Sequence, residues 1–168
     1  MKVFLFACAV AALAAAPVQA KAPRPLTPAT VRAMIAAQGA RATVRALGGD
    51  SGSRRWQAVD AGISSGAQAW LDIVPLLKPG TDAGTSEGLA TDLSTALAHN
   101  PRGVLRLLST GLYRADAICL DTTIEPTPAF DRTYYRTTIR AVRGVTDHAL
   151  RGVQAACLAT LRSASHRG

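Results

Sequence analysis

Three times in this chain a side-chain cap is followed at once by proline: Thr27-Pro28, Asn100-Pro101 and Thr127-Pro128. Proline has no N–H to donate and holds φ near −65°, so it suits the first turn of a helix. A Thr or Asn just before it supplies the oxygen that an orphan N–H of that turn needs. Each pair therefore predicts a helix start. The residues around them repeat apolar side chains at three- and four-residue spacing, and nowhere does period-two alternation persist long enough for a sheet. The chain is constrained to an all-α fold.

The spacing predicts a first helix from Pro28 to Gln38, with Val31, Met34 and Ile35 inward and Gly39 ending it. A second covers Ala40 to Leu47 and stops at Gly48-Gly49. A third, Ser53 to Ser64, carries Trp56, Val59 and Ile63. A fourth, Gly66 to Lys78, presents Trp70, Val74 and Leu77, with Pro75 placed to kink or break it. Leu89, Leu93 and Leu97 line a fifth; Val104, Leu105 and Leu108 line a sixth. Gly111 and the stretch Asp121 to Glu125 read as irregular. Two longer helices, Pro128 to Arg143 and Asp147 to Ala164, close the chain, the last with Leu150, Val153, Cys157 and Leu161 inward. Short turns between successive helices imply antiparallel packing. The expected architecture is a compact bundle, or a short array of helical hairpins, of about seven to eight helices closed by one disulfide.

The chain opens with the three parts that export machinery reads: Lys2, an apolar run of 14 residues from Val3 to Ala16, and small residues at Val18 and Ala20. A membrane-crossing helix needs roughly 20 apolar residues, so residues 1–20 read as a signal peptide cleaved between Ala20 and Lys21. Leu5-Phe6-Ala7-Cys8 resembles a lipobox, but Cys8 comes too early in the apolar core to be the modified residue. Residues 21–26 form an extended proline-rich leader, 27–164 one helical domain and 165–168 a tail. The expected location is periplasmic or secreted. In the 148 residues that remain, only Cys119 and Cys157 carry thiols. Two thiols in an oxidising compartment are expected to pair.

The residue order resembles a group of small exported bacterial all-helical proteins of unassigned function. The resemblance rests on Trp70-Leu71, on Pro79-Gly80-Thr81-Asp82-Ala83-Gly84, on Asn100-Pro101, and on Cys119 with Cys157. It implies fold and export and carries over no catalytic residue.

Chemistry-bearing motifs are few. Gly62-Ile63-Ser64-Ser65-Gly66 matches the G-x-S-x-G of serine hydrolases, which requires a strand leading into a strained turn. Here the preceding residues are helix-periodic, so a corner between helices is expected and Ser64 is not expected to be a nucleophile. The loop Gly80 to Gly88 lacks the lysine of a phosphate loop and the spacing of a calcium loop, so its Asp82, Thr85, Ser86 and Glu87 are expected to cap the fifth helix. His99, His148 and His166 stand at no metal-ligand spacing, and no cofactor or metal is expected. With only Glu87 and Glu125 as glutamates, paired-carboxylate glycosidase chemistry has few candidates.

Charge gives the one positive lead. Of 19 basic residues only Lys2, Lys21 and Lys78 are lysine. From Ala98 onward ten arginines face five acids, against eight basic residues and six acids between Lys21 and Leu97. At ~100° per residue, Arg132, Arg136, Arg140 and Arg143 project within an arc of about 80° on one helix. That arc is either a solvated face or a rail for phosphates, acidic sugars or a partner's carboxylates. Nucleic acid is not expected, because no aromatic stacking platform accompanies the basic face. The expected function is a non-catalytic exported binding module of unknown partner. The alternative is an accessory protein that holds an anionic envelope component, lipid phosphate or acidic glycan, on those arginines.

Overall fold

The computed structural model describes residues 25–49, 51–122 and 127–166. The expected signal peptide, most of the expected proline-rich leader, Glu125 and residues 167–168 lie outside the described residues. Within them ten α-helical segments and two 3-10 turns follow one another: α1 Pro28–Gln38, α2 Ala40–Leu47, α3 Arg54–Ser64, α4 Gln68–Leu71, α5 Val74–Leu77, α6 Ala83–Ala96, α7 Pro101–Ser109, α8 Ala115–Ile118, α9 Pro128–Arg143 and α10 Arg151–Ser165. The 3-10 turns are Lys78–Gly80 and His148–Leu150. No described residue is in a strand.

All three cap-proline pairs open helices as their chemistry dictates. Thr27 Oγ1 accepts from the Thr30 N–H at 3.2 Å, Asn100 Oδ1 from Gly103 at 2.9 Å and Thr127 Oγ1 from Phe130 at 3.2 Å. The stretch Gly80 to Gly88 is not all loop: α6 begins at Ala83, so Thr85, Ser86 and Glu87 lie within the helix, and of the expected caps it is Asp82 that serves, accepting from the Thr85 N–H at 2.8 Å. That contact, chiefly, holds the Asp82 carboxyl below its ordinary range.

Two elements differ from the expected set and raise the helix count above eight. The fourth helix is not continuous to Lys78: it stops at Leu71 and restarts as α5 at Val74. Inside an unbroken helix the Pro75 ring would meet the carbonyl four residues earlier, that of Leu71, so the chain ends one helix there and places Pro75 in the first turn of the next. The break also rotates the inward face. Leu71, Ile73, Val74 and Leu77 are fully buried while Trp70, expected inside, is only half-buried. The second difference is α8, one turn long and too short to show a helical period. The last helix runs to Ser165, one residue past its expected end, and begins with the 3-10 turn that Asp147 caps.

Packing joins the segments in a chain of neighbours. α1 and α2 meet each other and α5; α3 lies along α6; α10 packs on α7, α8 and α9. The core runs through the molecule from Val31, Leu47 and Ile63 to Leu89, Leu93, Leu105, Ile118 and Leu161, none with measurable exposure. Each such side chain stabilises the fold by about 1.5–3 kcal/mol relative to exposure.

Cys119, which ends α8, is bonded to Cys157 in the middle of α10 across a Cα–Cα distance of 5.3 Å, and both are fully buried. The adjoining backbone is held from three further sides. Leu120 O accepts from the Tyr134 hydroxyl of α9 at 2.9 Å and from Ser94 Oγ of α6, while the Asp121 N–H donates to the Tyr135 hydroxyl at 3.3 Å. Residues 119–121 lack regular structure, an expectation made for Asp121 onward, yet they are a junction where α6, α8, α9 and α10 are tied together.

Candidate functional site

The two glycines and the serine of Gly62-Ile63-Ser64-Ser65-Gly66 each have a packing role. Gly62 lies under the Trp70 ring, where an added Cβ would come within 2.4 Å of ring atoms. Gly66 turns the chain out of α3 with φ of 72°, in the left-handed region that glycine tolerates. Ser64 is the last residue of a helix, not the crest of a strand-to-helix turn, and its Oγ donates to Asp92 Oδ1 at 2.7 Å.

That bond leads into a polar cluster the sequence reading missed. Asp92 is only 9 % exposed, on the core side of α6, and shares its surroundings with Asp60 of α3. Burial chiefly pushes the Asp92 carboxyl up to about 7, and the neighbouring Asp60 charge adds to the shift; burial raises Asp60 too. Asp60 Oδ1 and Asp92 Oδ2 find no partner in other side chains or in the backbone, so each carboxyl is left to the other, and a proton held between them would satisfy both. Close by, Lys78 Nζ donates to Ser86 Oγ and lies 4.8 Å from the centre of the Tyr113 ring. The Tyr113 hydroxyl is raised to about 12, again mainly by burial. The missed signal was positional: Asp92 falls in the Leu89, Leu93, Ala96 stripe, where a charged residue has no solvent to face. No group of three or more His, Cys, Asp or Glu among the described residues is arranged to hold a metal ion.

The four arginines singled out from the sequence lie where helical geometry puts them. Arg132, Arg136, Arg140 and Arg143 are exposed along one side of α9, opposite the buried Thr138 and Val142. None forms an ion pair among the described residues, where the pairs found are Arg102–Asp147, Arg106–Asp147 and Arg114–Asp116. The rail is not uniform, however. Arg132 and Arg136 flank a hollow of about 240 Å³ that Asp131 also lines, which lowers the local positive charge. Arg140 instead borders a cleft of about 440 Å³, together with Arg102 and His99, at the start of α7. The one acid lining that cleft is Asp147, held by Arg102 at 3.1 Å and Arg106 at 3.7 Å. Those contacts, Arg102 foremost, keep its carboxyl below the ordinary range. Arg140 is therefore left without a compensating acid in the cleft.

A third cavity, about 370 Å³, opens between α6 and α9. Its walls are hydroxyl side chains of both helices with Phe130 at one side, and His99 borders both it and the arginine cleft.

The fold and site together define an all-helical, disulfide-closed protein whose exposed chemistry is cationic. No protein-family model, curated protein or solved structure matches the chain. What the site does must follow from its own residues.

Proposed function

We propose that this is an exported, non-catalytic binding module that holds an anionic envelope component at the arginine face of α9, centred on the cleft beside Arg140. The observation that carries this reading is the surplus of positive charge there: Arg102 and Arg106 occupy Asp147, while Arg140 meets no acid among the described residues. Guanidinium groups offer paired donors to a phosphate or carboxylate, and the N-terminal end of α7 adds favourable dipole density at the cleft. No described helix is long and apolar enough to cross a membrane.

Replacing Arg132, Arg136, Arg140 and Arg143 together by glutamine is expected to leave the helical content and melting temperature nearly unchanged. Glutamine has a helix propensity close to that of arginine, and none of the four side chains is buried. Affinity for anionic vesicles or an acidic polysaccharide should fall at least about tenfold. Arg140→Gln alone should lose more than Arg136→Gln, because only Arg140 borders the cleft with Arg102. Wild-type binding should weaken steeply with salt, since exposed charges are screened within about 8 Å at physiological ionic strength. A folded four-residue variant that binds as wild type would reduce the arginine row to a solvated face.

A further inference from the structure

The groove between α6 and α9 has a chemistry unlike that of the arginine face beside it. Thr91 and Thr95 from α6 and Thr133, Thr137 and Thr138 from α9 line it, with Asp121 as its one carboxylate. Such a lining offers hydrogen bonds in both directions and disfavours an anion beside Asp121. Phe130 stands at the side with 48 % of its surface exposed, an unusual degree for a large ring and the greatest exposure of any large apolar side chain described. Thr138 lines the same groove but is fully buried, its Oγ1 sealed beside the Tyr134 hydroxyl, so a ligand meets instead the exposed Thr133 and Thr137 of α9. Thr133 Oγ1 is turned back onto Ala129 O, which leaves the Thr137 hydroxyl available to a ligand. Tyr134 itself is committed elsewhere, bonding Leu120 O and Ser94, and so forms a fixed wall.

A ligand that suits this surface carries many hydroxyls, presents an apolar C–H face to a ring and bears little charge where it enters. A sugar ring has those properties. The cavity volume of about 370 Å³ is within the common range for small-ligand sites, about 300–1,000 Å³. His99 borders this groove and the arginine cleft alike, so one ligand can reach both.

We propose that the α6–α9 groove is a saccharide subsite, in which Phe130 stacks against a sugar ring and Thr137 Oγ1 bonds one of its hydroxyls, so that the anion met by the arginines is carried on a glycan. This rests on the anion-binding reading for its charged end only; the ring subsite stands apart from it.

The test uses three probes on the mature, disulfide-bonded protein: a uronic-acid oligosaccharide, its carboxyl-reduced neutral counterpart, and phosphatidylglycerol vesicles. Calorimetry should show the acidic oligosaccharide bound most tightly and the neutral one weakly. Phe130→Ala and Thr137→Val should each weaken both oligosaccharides by roughly three- to tenfold, the loss of one ring contact or one hydrogen bond. Neither change should lower the melting temperature, because both side chains are exposed. If the four-arginine glutamine variant still binds the neutral oligosaccharide but no longer prefers the acidic one, both halves of the site stand. If its preference for the acidic probe is unchanged while the groove variants lose affinity, the ring subsite stands and the arginine reading falls. Binding of the acidic oligosaccharide that ignores both groove substitutions overturns the saccharide subsite. So does binding of vesicles with no binding of either oligosaccharide.

Discussion

Replacing Cys119 and Cys157 together by serine is expected to lower the unfolding free energy by about 3–4 kcal/mol, the entropy released to the unfolded chain when a loop of 38 sequence steps is opened. Against a typical net stability of about 5–15 kcal/mol this is a large loss, measurable as a drop in denaturation midpoint. Its local effect should be larger still. α8 is a single turn with no helical stability of its own, and what fixes it is buried Ile118, the bridge to α10 and the bonds that Leu120 O receives from Tyr134 and Ser94. Freed from Cys157, residues 119–121 lose one of their four supports. Asp121 and Thr122 line the α6–α9 groove, so the serine variant should also bind oligosaccharide less well even at temperatures where it remains folded. Hydrogen exchange would localise the change: faster exchange at 115–121 with α1 to α3 unaffected is the expected pattern. An unchanged denaturation midpoint in the serine variant would show that the bridge is incidental to the fold.

Most of the architecture was legible because it is written in local chemistry. The starts of α1, α7 and α9 follow from a cap and a proline, and the ends of α1 and α2 from Gly39 and Gly48, both at positive φ. These signals act within a few residues and need no knowledge of the tertiary fold. What was hidden depends on distance. Pro75 signals a break but not which side of it turns inward, and that choice is made by packing, which took Leu71 and Ile73 and left Trp70 at the edge over Gly62. α8 exists because a disulfide and neighbouring helices hold it, not because four residues prefer to be helical.

The site divides in the same way. Exposure of the arginine row is a property of one helix and follows from its period. That Arg140 alone joins Arg102 and His99 in a cleft depends on the start of α7 lying against the end of α9. The hydroxyl groove was invisible for the same reason, since its threonines come from helices separated by some forty residues, as the Ser94–Tyr134 contact across 40 positions records. Threonine in a helix also gives little signal: its hydroxyl can turn back to a carbonyl four residues earlier, as Thr95 and Thr133 do.

The Asp60–Asp92 pair carries the second large expectation, a stability that declines from mildly acid to neutral pH. In the unfolded chain Asp92 loses its proton near 3.8; in the native protein it holds it to about 7. Below about pH 4 both forms are protonated and the pair has no effect on the balance. Between about pH 4 and pH 7 the unfolded chain ionises while the native carboxyl stays neutral, so each unit of rising pH favours unfolding, by up to about 1.4 kcal/mol. Above about 7 the buried charge must be borne in full. Asp82, Asp116 and Asp147 act with opposite sign: their carboxyls are held low, so their contributions are lost as pH falls below their unfolded values. The two trends together place maximum stability on the acid side of neutrality. Asp92→Asn isolates the first trend. Its Oδ1 can still accept from Ser64, and its amide gives Asp60 the donor that Oδ1 now lacks. Thermal melts should therefore converge with wild type near pH 4 and show the variant more stable at pH 8, by on the order of a few kcal/mol. Asp60→Asn should reproduce part of the gain, because it removes the neighbouring charge but leaves Asp92 buried. Lys78 is engaged with Ser86 and the Tyr113 ring, and no cation contributes to the Asp92 shift. Wild-type and Asp92→Asn melting profiles that run parallel from pH 4 to 8 would mean that the carboxyl is ionised in the native core, and the shared proton would be ruled out.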